Sequence, residues 1–175
     1  MDQDVLRAEL ERCHPHSYGW ALSCCAFDRA EAEDVLQTAY LKVLQGRAQY
    51  DGRAAFKTWL FGVIRNTAAE ARRRHWLRHL RLRIGQPKDE VRVQPAEQAI
   101  VLERAEDAQA FRLALAHLPR RQQEVMHLVF YQDLSVAEAA EAMGVSVGSA
   151  RTHYARAKGR LRELLNAGEH FDERR

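Results

Sequence analysis

Lys57, Phe61, Arg65, Asn66, Arg72 and Arg73 fall on one side of a single helical run, opposite its apolar stripe. Side chains of these types suit a single-stranded nucleic acid: cations meet phosphates, and an exposed aromatic ring stacks on an unstacked base. A second constellation lies far down the chain, where Thr152, Ala155 and Arg156 point away from the core of another helix with Arg151 at the flank. Short polar, small apolar and forked cationic groups in that order suit base edges and phosphates in a major groove. A third group, Asp34, Gln37, Thr38 and Leu41, shares the outer face of an early helix. A leucine among polar residues there is either a lone exposed apolar residue or part of a partner-docking patch.

Other chemistry finds little support. Cys13, His14, His16, Cys24 and Cys25 match no usual zinc spacing, and neighbouring cysteines on a helix diverge by about 100°, so core packing is expected for Cys24 and Cys25. His75 and His79 lie four apart in an arginine-rich segment that would repel a cation, so phosphate contact or solvation is expected of them. No Walker loop, GxSxG or HExxH motif occurs, and neither a catalytic function nor a metal or cofactor is expected.

The charge distribution agrees with two grips on one polyanion. The net charge of the 175 residues is +3, yet residues 51–84 carry nine basic side chains against two acidic ones. Five of the seven basic residues of 119–166 lie between Arg151 and Arg162. Residues 1–50 and 85–118 are net acidic. Patches separated in this way suggest two places where one partner is held.

The elements that must position these residues read as helices. Gly and Pro are few, 9 and 4 residues. Leu6, Leu10 and Cys13 mark a first helix, expected to close at a turn through His14-Pro15-His16-Ser17. Residues 18–27 are apolar nearly all round, as in a helix at a domain centre. From about 31 to 45, Ala32, Val35, Leu36, Ala39, Tyr40 and Val43 form an inner side. After the turn at Tyr50-Asp51-Gly52-Arg53, the long run from about Ala54 buries Phe56, Trp59, Leu60, Val63, Ile64, Thr67, Ala68 and Ala71. The stretch from Gly85 to Pro95, with two prolines and no apolar stripe, reads as a linker.

Beyond it, Leu102–Leu118 reads as a helix, and Pro119 suits the first turn of the next, whose stripe is Val125, Leu128 and Val129. Ser135 and Glu138 form a capping box, Gly144 supplies a tight turn, and Ser146 caps a second helix that buries Ala150, Tyr154, Ala157, Leu161 and Leu164. That is the helix-turn-helix pattern. The expected fold is all-α: two small helical domains, 1–84 and 101–168, joined by a flexible linker at 85–100 and followed by a tail at 169–175. No apolar run approaches the roughly 20 residues of a membrane span, the N-terminus is acidic, and three cysteines do not suit a disulfide scaffold. A soluble, cytoplasmic protein is expected.

Taken together these segments resemble the extracytoplasmic-function (ECF) group of bacterial sigma factors, over roughly residues 5–166. Ala32-Glu33-Asp34-Val35-Leu36-Gln37 is similar to the segment which that family docks on the polymerase clamp. Phe56-Lys57-Thr58-Trp59-Leu60, followed by Ile64-Arg65-Asn66-Thr67-Ala68, resembles its −10 recognition helix. Leu118-Pro119, Glu124-Val125, Glu138-Ala139-Ala140 and Met143-Gly144-Val145-Ser146 resemble its −35 domain.

The resemblance implies that Asp34, Gln37, Thr38 and Leu41 bind the β′ clamp helices of core RNA polymerase, while the second domain sits on the β flap. It implies that Arg151, Thr152 and Arg156 read the −35 duplex beside Ala155, with His153 and Lys158 near phosphates. Tyr50, Asp51, Lys57, Phe61, Arg65, Asn66, Arg72 and Arg73 would serve the −10 element of promoter DNA, the loop around Tyr50 with Arg65 and Asn66 capturing flipped bases. An anti-sigma factor is a possible further partner. The alternative is a stand-alone helix-turn-helix regulator of the response-regulator output type, which explains neither the Trp59 helix nor the Asp34 patch.

Overall fold

The computed structural model describes residues 2–82 and 114–172, with side chains up to residues 80 and 165 in the two stretches. Six helices are given bounds within them: α1 (Gln3–Cys24), α2 (Arg29–Leu44), α3 (Phe56–Leu82), α4 (Arg120–Phe130), α5 (Val136–Met143) and α6 (Val147–Asp172). The chain divides between Ala96 and Glu97 into two compact units. The expected linker at 85–100 lies outside the described residues, as do residues 102–113 of the helix expected at Leu102–Leu118; residues 114–116 are helical.

In the first unit α1, α2 and α3 pack pairwise around Trp20, Val35, Leu36, Leu60, Phe61 and Ile64. The turn expected at His14–Ser17 is absent: α1 is one helix, with Pro15 inside it. Proline removes one backbone donor, and here it lies on the solvent side with Glu11 exposed, so water can satisfy the carbonyl that loses its partner. Burial of Leu10, Cys13, Ser17 and Trp20 along one side of α1 outweighs the local break signal. α2 begins as its sequence suggests, with the Asp28 side chain accepting from the Glu31 amide (3.0 Å). Ala32, Val35, Leu36, Ala39 and Val43 are buried, and Tyr40 is half-buried. Lys42 of α2 ties to α3, donating to Thr67 Oγ1 (3.1 Å) and Glu70 Oε2 (2.8 Å).

The buried arc of α3 is broader than its apolar stripe suggests. Phe56, Leu60, Ile64, Thr67 and Ala68 are buried as expected, but so are Thr58 and Phe61. Trp59 and Val63, at the other edge of the stripe, are only half-buried. A single stripe suffices for a helix resting on one neighbour; α3 rests on α1 and α2 and must bury an arc against each. Phe61 packs tilted against Trp20 (6.0 Å between ring centres), and Trp20 Nε1 donates to the Phe61 carbonyl (3.0 Å).

In the second unit, Leu118, Val125, Met126, Leu128, Ala139, Ala140, Met143, Ala150, Ala157 and Leu161 form the core of α4, α5 and α6. Pro119 stands at the N-cap of α4, one position before its first turn, where its carbonyl accepts from the amides of Gln122 (2.8 Å) and Gln123 (3.1 Å). The Ser135–Glu138 capping box forms, with Ser135 N donating to Glu138 Oε2 (2.8 Å) and Glu138 N to Ser135 Oγ (3.2 Å). Gly144 takes φ +61°, which closes α5 and turns the chain into α6. Buried Glu124 accepts from Arg120 Nε (3.0 Å) and Arg121 Nη1 (3.3 Å), and Arg121 also reaches the Met143 carbonyl (3.3 Å), joining α4 to the turn.

Two predictions follow from this packing. Phe61→Ala should destabilise the first unit by about 3–5 kcal/mol, the range for emptying a buried aromatic site, measured by denaturant unfolding; a loss below about 1 kcal/mol contradicts the burial. In the second unit, burial lowers the His127 imidazolium pKa from 6.5 to about 4. The folded state therefore favours neutral imidazole, which fits Gln132 Nε2 donating to His127 Nε2 (3.2 Å). This contribution is complete above pH 6.5 and declines as pH falls toward 4, reaching a loss of about 1–2 kcal/mol by pH 5. Thermal unfolding of the second unit should show that loss, and His127→Gln should flatten it.

Candidate nucleic-acid interfaces

The candidate recognition element of the second unit is the first half of α6. Ser146 caps it by accepting from the Ser149 amide (3.1 Å), and its hydroxyl bonds Ser149 Oγ (2.9 Å). Ala150 and Ala157 are buried and Tyr154 half-buried, which turns Arg151, Thr152, Ala155, Arg156 and Lys158 into solvent, with His153 half-buried at the edge. The Thr152 hydroxyl donates to the Gly148 carbonyl (3.0 Å), and Lys158 Nζ lies 5.5 Å from the centre of the Tyr154 ring. Ser146, Gly148, Ser149, Thr152 and His153 line an open, shallow depression. Ser146, Gly148 and Ser149 were missed as surface residues of this element because capping accounted for Ser146, although residues at the leading end of a recognition helix enter the groove first.

The first unit carries its cationic face on α3 and the loop before it. Asp51 is exposed and holds that loop, accepting from the Arg53 amide (3.1 Å) and pairing with Arg53 Nε (3.3 Å). Tyr50 is half-buried; its hydroxyl donates to the Ala54 carbonyl (2.5 Å), and its ring lies 5.3 Å from both Phe56 and Trp59. Asn66 and Arg73 are exposed and Arg65 half-buried.

Three of the expected contacts have other work. Contrary to the expected base contact, Phe61 is fully buried and cannot meet a base, because it belongs to the arc facing α1 and not to the outer face. Lys57 is half-buried with Nζ 5.6 Å from the centre of the Phe61 ring, which it shields from water. Arg72 is half-buried and donates to the Cys24 carbonyl (3.1 Å), placing a cation at the C-terminal end of α1. On the same helix Trp59, beside Tyr50, is a partly exposed aromatic ring. Trp59 was hidden by its place in the apolar stripe; the signal was that it sits at the stripe's edge, on the side of Asn66 seven residues on.

On α2, Asp34 and Gln37 are exposed, Leu41 is 46% exposed and Thr38 is half-buried, so the outer patch is one surface with Thr38 at its margin. The three cysteines are buried, and burial pushes the Cys13 thiol above its ordinary pKa, away from the reactive thiolate. Among the described residues no group of three or more His, Cys, Asp or Glu is placed to hold a metal ion, and no helix is long and apolar enough to cross a membrane.

Fold and site together define a two-module helical protein whose second module is a helix-turn-helix with outward cationic side chains on its second helix. The chain belongs to the sigma-70 family, within its ECF group. Residues 10–78 match the family's region 2 and residues 108–161 its region 4. Among similar proteins, the ECF RNA polymerase sigma factor BldN of Streptomyces coelicolor is 35% identical over 139 residues, covering 78% of this chain and 52% of that protein. The probable RNA polymerase sigma factor RfaY of Xanthomonas campestris is 30% identical, covering 98% and 48%. The chain thus spans about half the length of these two curated relatives. Among solved structures, the sigma factor RpoE in complex with the anti-sigma factor NepR from Bartonella quintana superposes with a TM-score of 0.68 at 27% identity, covering 92% of this chain and 96% of that one.

Proposed function

We propose that this protein is an RNA polymerase sigma factor that directs the core enzyme to specific promoters and initiates transcription there. The observation that carries this reading is the order within one chain: a region 2 unit with a cationic, aromatic-edged helix, then a region 4 unit with an outward recognition helix. The protein itself supplies no catalysis; bond formation belongs to the polymerase. The proposed assignment of the chain is 1–84 to core docking and −10 recognition, 85–100 to the linker and 101–168 to −35 recognition, all acting in the cytoplasm.

In this reading Asp34, Gln37 and Leu41, with Thr38 at the rim, dock on the β′ clamp helices, and the second unit sits on the β flap. Arg151, Thr152 and Arg156 read base edges of the −35 duplex, Ala155 leaves room for a thymine methyl group, and His153 and Lys158 lie near phosphates. Asp51, Arg65, Asn66 and Arg73 engage the opened −10 strand, with Trp59 and Tyr50 as the stacking surface. Flipping a base costs a few kcal/mol, and stacking returns about 1–3 kcal/mol per base. An anti-sigma protein would silence the factor by covering these surfaces, a partner class supported by the NepR complex of the similar RpoE.

Run-off transcription with bacterial core polymerase on a promoter library is the decisive measurement. Core-dependent initiation from a defined set of promoters is expected. Tight dimeric binding of the isolated chain to a palindromic duplex, with nothing added by core, would instead establish the stand-alone regulator. Asp34→Arg should weaken core binding by at least about tenfold, the scale of one desolvated charge contact, while leaving the far-UV spectrum unchanged; unaltered affinity removes the docking patch. Arg156→Ala should cost about 1–3 kcal/mol at one promoter position. An even loss across sequences makes Arg156 a phosphate contact.

A further inference from the structure

The last two turns of α3 stand apart from the rest of the first unit. Residues 73–80 are all exposed, including Trp76 at 61%, so little tertiary burial supports this stretch. Within it the rings of His75 and His79, one helical turn apart, lie 4.3 Å between centres, and their Nε2 atoms face each other at 3.0 Å. One of those nitrogens holds the shared proton and the other presents its lone pair.

We propose that His75 and His79 form a two-imidazole chelate for a late first-row divalent ion, of the Ni2+, Cu2+ or Zn2+ class. The separation carries the inference. Two metal–nitrogen bonds of about 2.1 Å place the nitrogens about 3.0 Å apart at a right angle and about 3.4 Å apart at the tetrahedral angle. The pair already holds the shorter of these spacings, so binding needs little side-chain rearrangement. Neutral imidazole is a good donor for these ions and a poor one for Mg2+ or Ca2+. As the metal enters, the ring that donated through Nε2 changes tautomer, its proton passing through solvent to Nδ1, so both rings stay neutral with an Nε2 lone pair on the ion, and water fills the remaining positions. Arg73, Arg74 and Arg78 oppose a cation, but all three are exposed, where solvent and salt screen their repulsion. Because the chelate bridges residues i and i+4, it closes one turn of helix across a stretch that packing leaves unsupported, and holds the flanking arginines in helical register.

The test is Ni2+ titration of the full chain by calorimetry in a non-coordinating buffer, with amide exchange followed over residues 73–82. One Ni2+ per chain and slower exchange in this window are expected. His75→Gln and His79→Gln should each weaken binding by about tenfold or more and abolish the slowing, whereas His14→Gln/His16→Gln should leave both intact. All four positions are exposed, so the variants keep the fold, which circular dichroism verifies. Binding unchanged by His75→Gln and His79→Gln, or lost in His14→Gln/His16→Gln, would overturn the proposal. Because none of these readouts involves transcription, the result is independent of the sigma-factor reading.

Discussion

One helix has one circumference, and the first unit depends on how α3 divides it. A helix of 27 residues is about 40 Å long at 1.5 Å per residue, enough to run past both of its neighbours. Along its first half α3 buries one arc against α1 and another against α2, leaving a narrow strip for solvent. Phe61 falls to the first demand; Arg65, Asn66 and Arg73 remain for the last. The division explains why Trp59 and Val63 lie half in and half out. They stand at the border between the core and the proposed DNA face, where an aromatic ring is braced by Tyr50 and Phe56 while part of it still meets solvent.

The same helix links core to charge. Lys42, Thr67 and Glu70 join α2 to α3, and Arg72 ties α3 to the last turn of α1. Each tie uses a polar group of α3 to fix the rotation of the helix about its own axis. That rotation decides which residues face outward, so these contacts position Arg65, Asn66 and Arg73 without touching a ligand themselves. An Arg-rich helix is therefore not uniformly a binding surface: Arg72 and Arg73 are adjacent in sequence, one capping a neighbouring helix and the other facing solvent.

The second unit solves a different problem by local means. The chain turns from short α5 into α6 through the Ser135 capping box, the positive φ of Gly144 and the Ser146 cap, all within twelve residues. Small buried residues, Ala139, Ala140, Ala150 and Ala157, let the helices approach closely. The buried Glu124 clamp from α4 then holds the turn through Arg121. Thr152, Arg156 and Lys158 are presented outward as a consequence of where those alanines are.

How much could be read without coordinates followed the range of the interactions involved. The sequence alone determined the all-α class, the α2 stripe, the capping box, the turn at Gly144 and the outward set on α6, because caps, turns and short amphipathic helices are settled by residues within a few positions of one another. Tertiary structure decided the rest. It carried α1 straight through Pro15, because burial on both sides of the proline outweighs one lost hydrogen bond on the wet face. It turned Phe61 inward, gave Arg72 to α1 and made Trp59 a border residue. Each of these depends on how many neighbours a helix has or on which rotamers its surface side chains adopt, and periodicity along one chain encodes neither.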